Sequence, residues 1–226
     1  MGTVLAMRFL PTLPLLAALL IAGCSPDHNQ FSDFWNTPIK RLWQGEEDRG
    51  NVRAALTPEL LAQIGRPTIL LTVPARENVE SPFFAEERNG DTVTWLSVNN
   101  EFLLLQDGVL SGTRGLGGDL MNADLSEVHE ALAGRRTQAV RIHRMLDGEN
   151  HIVAESYVCD YAQRPERVAV GAYLTQVQAT QIDETCTGVE RVFENRYWLS
   201  GSGTIVRARQ WAGEPLGYLE YERLSD

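Results

Sequence analysis

TVTWLSVNNEFLLLQDGVL, residues 92–110, decides what kind of fold this chain builds. Residues 92–98 and 101–106 are strand-length runs of β-branched, aromatic and aliphatic residues, and each stops at a pair that favours a reversal. Asn99-Asn100 ends the first. Asp107-Gly108 ends the second, and Asp-Gly tolerates the positive φ that a two-residue hairpin demands. Val109-Leu110 then continues as a third strand, so consecutive strands are joined by hairpin-length turns.

The same grammar runs outward to the C-terminus. Residues 138–146 and 151–161 flank an Asp147-Gly148 turn, and 168–182 is one long β-branched and aromatic run. Residues 192–199, 204–211 and 218–224 close the chain, with Gly201-Ser202-Gly203 and Gly213-Glu214-Pro215 as turns. Between the two β regions, residues 124–134 predict a short helix. Asp124 and Glu127 form a capping-box pair, Leu125, Val128 and Leu132 share one face, and Gly134 ends it. His129 is placed on its solvated side.

Toward the N-terminus, Thr57-Pro58-Glu59 opens another helix, with Thr57 as N-cap and Pro58 where a missing N–H costs nothing. Leu60, Leu61 and Ile64 form its apolar face, and Gly65 and Pro67 stop it. Residues 68–73 then read as a buried strand and 76–91 as a charged loop whose Pro82-Phe83-Phe84 tucks into the core. The sum is a mainly β protein: an antiparallel meander of about ten strands, curved into a half-barrel, barrel or sandwich, with two short helices.

The first residues are of another kind. Arg8 is followed by an apolar run of about 13 residues, where a spanning helix needs about 20, and the run ends in Ala22-Gly23-Cys24. Charge, apolar stretch and small residues in that order are the plan of a secretory signal. A small pair directly before cysteine is what a lipoprotein signal peptidase reads. Residues 1–23 are therefore expected to be removed and Cys24 to carry lipid, with Ser25 after it favouring the outer membrane by the sorting rule of enteric bacteria. Residues 24–51 form a tether carrying Phe31, Phe34, Trp35 and Trp43, aromatics that a plain solvated leash would lack. Residues 52–226 form a single domain.

The formal net charge is −10 and no basic stripe occurs, which argues against nucleic acid as a partner. Membrane association falls to the acyl chains on Cys24. With Cys24 used for lipid, Cys159 and Cys186 are left, and outside the cytoplasm two cysteines are expected to form one disulfide.

Chemistry-bearing patterns are sparse. No serine stands in G-x-S-x-G, and His28, His129, His143 and His151 have no metal-ligand spacing. No metal, cofactor or catalytic residue is expected, and the chain reads as a non-enzyme. A carboxylate pair meeting in the fold would be the exception. The glycine loop Arg114-Gly115-Leu116-Gly117-Gly118-Asp119 lacks the nucleotide spacing. Arg114 and Asp119 either satisfy loop backbone or recognise a polymer or partner, so Arg114, Gly115, Gly117, Gly118 and Asp119 stand as a candidate interaction loop. Tyr197, Trp198 and Trp211 either stack on sugars, pack an interface or fill the core.

Taken together, Thr113-Arg114-Gly115-Leu116-Gly117-Gly118-Asp119-Leu120-Met121, Asn195-Arg196-Tyr197-Trp198-Leu199, Gly213 and the Thr57-Pro58 helix resemble the YjbF / group 4 capsule polysaccharide lipoproteins from about Phe31 to the C-terminus. The resemblance implies an outer-membrane lipoprotein with a mainly β body, facing the periplasm or cell surface. It implies a non-enzymatic accessory role in exopolysaccharide or capsule assembly and export. Outer-membrane or periplasmic export proteins, and the polysaccharide itself, are the expected partners. Cys159 and Cys186 are not part of the family pattern. A carrier of apolar lipid ligands in a half-barrel cavity is the competing reading, and it demands an apolar-lined cavity.

Overall fold

The computed structural model describes residue 2 and residues 52–149, 151–214 and 216–226. Cys24, the expected tether through residue 51 and, apart from Gly2, the expected signal segment lie outside these residues. No helix among the described residues is long and apolar enough to cross a membrane.

Three α-helices occur among the described residues: α1 (Val52–Ala55), α2 (Pro58–Ile64) and α3 (Ser126–Leu132). Twelve strands accompany them. The first six are β1 (Thr68–Val73), β2 (Val79–Asn89), β3 (Thr92–Ser97), β4 (Phe102–Gln106), β5 (Val109–Arg114) and β6 (Leu120–Asp124). The second six are β7 (Gln138–Leu146), β8 (Ile152–Ala172), β9 (Thr175–Thr187), β10 (Val192–Leu199), β11 (Ile205–Trp211) and β12 (Tyr218–Ser225).

All twelve form one antiparallel sheet. From β1 one arm runs through β2, β3 and β4 to β5. The other runs through β12, β11, β10, β9, β8 and β7 to β6. The sheet curls into a nearly closed barrel, because its two edges, β5 and β6, meet. They share no backbone ladder. The seam is stitched by side chains: Arg114 donates to the carbonyls of Leu120 and Met121, both at 3.0 Å, and Leu120 N–H donates to Thr113 Oγ1 at 3.0 Å. Edge strands left open invite pairing with other chains, and this seam covers both.

The interior is a large apolar cluster from both arms and α3, including Ile69, Leu71, Phe83, Trp95, Leu103, Val128 and Leu219. Helices α1 and α2 lie against the outer wall, where Leu56 and Leu61 bury Leu70 and Leu224. As expected, Thr57 caps α2 by accepting from Leu60 N–H, Pro58 opens it, and Gly65 closes it at φ 62°. Arg53 fixes α1 through Glu222 at 2.9 Å and Glu80 at 3.1 Å.

The structure departs from the sequence reading in four places. The charged loop is the long strand β2; its buried Phe83 and Phe84 hold the register against Ile69 and Thr68, while its charged half runs past β1 and pairs with β3 alone. The run 168–182 is two strands, folded back at Tyr173-Leu174 with φ 51° and 58°. Residues 120–124, next to the glycine loop, form β6. The Asp124–Glu127 capping box does not form: Asp124 accepts from Ser126 N–H at 3.2 Å, while Glu127 reaches across to Val140 N–H at 2.8 Å.

Antiparallel pairing sends alternate turns to opposite ends of the barrel. The turns at 90–91, 107–108, 173–174 and 200–204 gather with α3 at one end, the mouth. The turns at 74–78, 98–101, 115–119, 147–151, 188–191 and 212–217 lie at the other, the tip end.

Candidate functional site

At the mouth the converging turns enclose an open cavity of about 880 Å³. Its buried floor is Val93, Trp95, Leu105, Leu132 and Ile205; its rim carries Arg88, Asp91, Asp107, Arg135, Ser202, Thr204, Arg223 and Asp226. These residues are scattered over most of the domain sequence and meet because β2–β3, β4–β5 and β10–β11 all turn at this end.

The β4–β5 turn is held in place from across the barrel. Asp107 and Gly108 both adopt positive φ, 46° and 87°, as the Asp-Gly pair predicts. The Gly108 carbonyl accepts from Tyr221 Oη at 2.8 Å and Gln210 Nε2 at 3.2 Å, and Gln210 Oε1 accepts from Leu110 N–H at 2.8 Å. A Cβ at Gly108 would sit 2.8 Å from Tyr221 Oη, so only glycine lets the turn approach this closely.

Several polar groups in the cavity wall lack partners. Arg223 pairs with Asp226 at 2.6 Å and lies 5.9 Å from the Trp95 ring centroid. The side chains of Arg88, Asp91, Asp107 and Arg135 make no ion pair or hydrogen bond among the described residues. The indole N–H of Trp95, a residue only 2% exposed, and Nε2 of His129 are buried without a partner. Burial lowers the His129 pKa; Asp107 and Asp91 oppose that shift and Arg141 adds to it. His129 is therefore part of the cavity wall and not a solvated surface residue, because α3 lies across the mouth.

A second polar cluster is buried within the barrel. Inward positions on β7, β8, β9 and β10 bring together Arg141, Tyr161, Glu184, Asn195 and Tyr197. Arg141 Nε and Nη2 donate to Glu184 at 3.1 and 3.0 Å, and Nη2 also donates to Tyr197 Oη at 2.8 Å. Asn195 Nδ2 and Tyr197 Oη each donate to Glu184 Oε2 at 2.7 Å, and Tyr161 Oη donates to Oε1. Burial opposes the Arg141 charge, but Glu184 more than offsets it and holds the guanidinium protonated. Beside them His143 packs between Phe193 and Tyr157, at centroid distances of 5.9 and 5.5 Å, with neither ring nitrogen hydrogen-bonded. Its pKa is lowered to about 3, first by burial and then by Arg141.

Cys159 and Cys186 stand opposite each other on β8 and β9 and form the expected disulfide, with Cα atoms 4.0 Å apart. Their sulfurs are bonded to each other, so Glu184 beside them has no thiolate with which to share a metal. His151 is exposed, 3.4 Å from Asp147, while His143 faces Glu155 across the β7–β8 pair.

The glycine loop lies at the tip end, remote from the mouth. Arg114 is occupied by the seam, and Asp119 accepts from Gly115 N–H at 2.7 Å, Leu116 N–H at 3.1 Å and Thr113 Oγ1 at 3.0 Å. Both charges are thus spent on loop backbone and neighbours, and Gly115, Gly117 and Gly118 present exposed backbone. Tyr197 is buried in the Glu184 network. Trp211 packs on Phe193 at 6.0 Å and Tyr218 at 5.2 Å, and Trp198 lies between Arg196 and Arg207. None of the three is a free stacking platform.

Chemically, the mouth offers guanidinium donors, carboxylate acceptors, hydroxyls and one buried indole N–H over an apolar floor. Such a wall suits a polar ligand with many hydroxyl groups. An acyl chain would have to lie against six charged side chains, at a desolvation cost.

No curated protein matches the chain. Among solved structures, the hypothetical lipoprotein YmcC from Escherichia coli (K12) is similar, with a TM-score of 0.64 and 18% identity over 74% of this chain and 88% of that one. That likeness extends to the fold. A putative lipoprotein from Parabacteroides distasonis matches at a TM-score of 0.26 and 8% identity, over 71% of this chain and 94% of that one. The model of the family described as group 4 capsule polysaccharide lipoprotein gfcB, YjbF matches residues 34–224. With the lipobox-like Ala22-Gly23-Cys24 before the match and a mainly β barrel spanning it, the chain belongs to the YjbF family of group 4 capsule polysaccharide lipoproteins.

Proposed function

We propose that this protein is a lipid-anchored outer-membrane accessory in exopolysaccharide or capsule assembly and export, one that holds polymer or an export protein and performs no bond-making step. Cys24 is the attachment point, and the body faces the periplasm or cell surface. The observation that carries the reading is the mouth: a wide, open, polar cavity with unpaired donors and acceptors of both signs, in a chain of a capsule polysaccharide lipoprotein family. Vicinal hydroxyls of a glycan offer donor and acceptor together, which suits a rim carrying Arg88, Arg135, Asp91 and Asp107.

The carrier reading for apolar ligands fares worse. The barrel interior is filled by the apolar cluster and the Arg141–Glu184 network, and the cavity at its end is walled by charge. Deleting the gene tests the role: surface or secreted polysaccharide should fall or change in length under conditions where the export system is expressed. Unchanged polymer in that strain contradicts it. Co-purification through a C-terminal tag should recover export proteins from membranes; recovery of bound lipid alone favours the carrier.

A further inference from the structure

Strand β1 stops short of the mouth. It begins at Thr68, opposite Phe84 of β2 and Ser225 of β12. Gly65 ends α2 just before it, and Pro67, which has no N–H to give, adds only its carbonyl, accepting from Ala85 N–H at 2.9 Å. β2 runs on. Its residues 87–89 stand about 10 Å beyond the start of β1 and pair with β3 alone. On the far side β12 ends at Ser225. The barrel wall is therefore cut down between β2 and β12.

The gap is a cavity in its own right, of about 380 Å³, edged by Pro67, Ala85, Glu86 and Glu87. It opens into the mouth, because Arg88, Val93, Trp95, Arg223 and Asp226 line both spaces. The mouth thus has two ways out, one along the barrel axis and one through the wall.

The edge of the gap is polar and unused. Glu86 is held by Arg66 at 2.6 Å, but the side chains of Glu87 and Arg88 make no ion pair or hydrogen bond among the described residues. The backbone of residues 87–89 meets no strand on the gap side. This edge is short, charged and bulged between Ala85 and Glu87, features that discourage pairing with another strand. Its main-chain donors and acceptors suit hydroxyl groups instead.

We propose that the mouth takes an internal stretch of polysaccharide, which enters along the barrel axis, crosses Val93 and Trp95 and leaves sideways through the gap between β2 and β12. This depends on the assignment of the mouth to polysaccharide and adds how the chain lies in it. A cavity with one opening holds a single sugar or a chain end, whereas a channel open at both ends holds a polymer at any point along its length. The mouth alone, at about 880 Å³, is already near the upper limit of small-molecule sites, and the gap extends it further.

The test uses the full-length, membrane-matured protein in detergent micelles. The probe is the polysaccharide secreted by the strain that carries the gene, both intact and as fragments sized after partial acid hydrolysis. Titration calorimetry should show several protein molecules bound per intact chain, and fragments of about eight sugars should bind at least about tenfold more tightly than disaccharides. Glu87→Trp, at an exposed position on the gap and away from the mouth floor, should cost the long fragments at least about fivefold in affinity and the disaccharides less than about twofold. One protein per chain at every length assigns recognition to a chain end and overturns the inference, with the mouth still a polysaccharide site. Equal affinity of wild type and a folded Glu87→Trp for the long fragments overturns it in the same way. No binding of polymer or fragments, or binding that survives Arg88→Ala with Arg135→Ala unchanged, overturns the assignment of the mouth as well.

Discussion

Arg141 and Glu184 face each other inside the barrel through two parallel hydrogen bonds of 3.1 and 3.0 Å, with both side chains wholly removed from solvent. The pair is usable only because Tyr161, Asn195 and Tyr197 satisfy the remaining lone pairs of the carboxylate. Removing one partner strands a buried charge. Glu184→Gln or Arg141→Met should each cost about 3–5 kcal/mol in a urea titration, whereas Arg141→Met with Glu184→Leu should recover much of that loss. A single variant as stable as the double variant would show that the charges are not coupled.

His143 gives the fold a pH dependence. The unfolded chain titrates this imidazole near 6.5, and the folded chain only at about 3. Between those values the unfolded state binds the extra proton, so stability is full above pH 6.5 and falls as the pH drops toward 3. His143→Phe, stacked in the same place between Phe193 and Tyr157, should remove on the order of 2 kcal/mol of the stability difference between pH 7 and pH 4.5. Parallel urea midpoints for wild type and variant at the two pH values measure it.

The disulfide closes a loop with a sequence separation of 27 between adjacent strands. Reduction, or Cys159→Ala with Cys186→Ala, should lower stability by about 3–4 kcal/mol through the freed unfolded chain. The β8–β9 ladder continues on both sides of the bridge, so strand content by circular dichroism should survive at low denaturant.

Arg114 carries the closure of the barrel. Arg114→Ala leaves the carbonyls of Leu120 and Met121 without their donor, at a cost of about 1–3 kcal/mol. Amide exchange at Leu120, whose N–H bonds Thr113 Oγ1 across the seam, should accelerate, while exchange on β1 and β12 should not. Arg114→Lys should fail to restore protection, because an ammonium cannot span two carbonyls as a planar fork does.

How much of this was legible in the sequence depended on whether the signal was local. Thr57, Pro58 and Gly65 mark α2, and Asp107-Gly108 marks its hairpin, because capping and positive φ are decided within a few residues. Tyr173-Leu174 was not legible as a turn. Neither residue favours positive φ, and the reversal is imposed by packing, with Leu174 against the α1–α2 patch and Tyr173 N–H on the Arg223 carbonyl at 2.6 Å. Strand β2 was hidden by its charges and by Pro82. The buried network had a readable trace: once Cys159 and Cys186 pair, strand alternation points Tyr157, Tyr161 and Glu184 inward with them. The mouth had none, since its residues come from three separate turns, α3 and the end of β12 and meet only when the sheet closes.

If the mouth serves polysaccharide export, its rim charges are needed for polymer to reach the surface, and complementation shows whether they are. A gene-deleted strain is supplied with wild type or with Arg88→Ala, Asp107→Asn and Arg135→Ala combined; all three are exposed on the rim, and asparagine keeps the positive φ that residue 107 adopts. The triple variant should reach the membrane at wild-type level and restore only a small fraction of the polymer that wild type restores. Full restoration of polymer by the variant would contradict it.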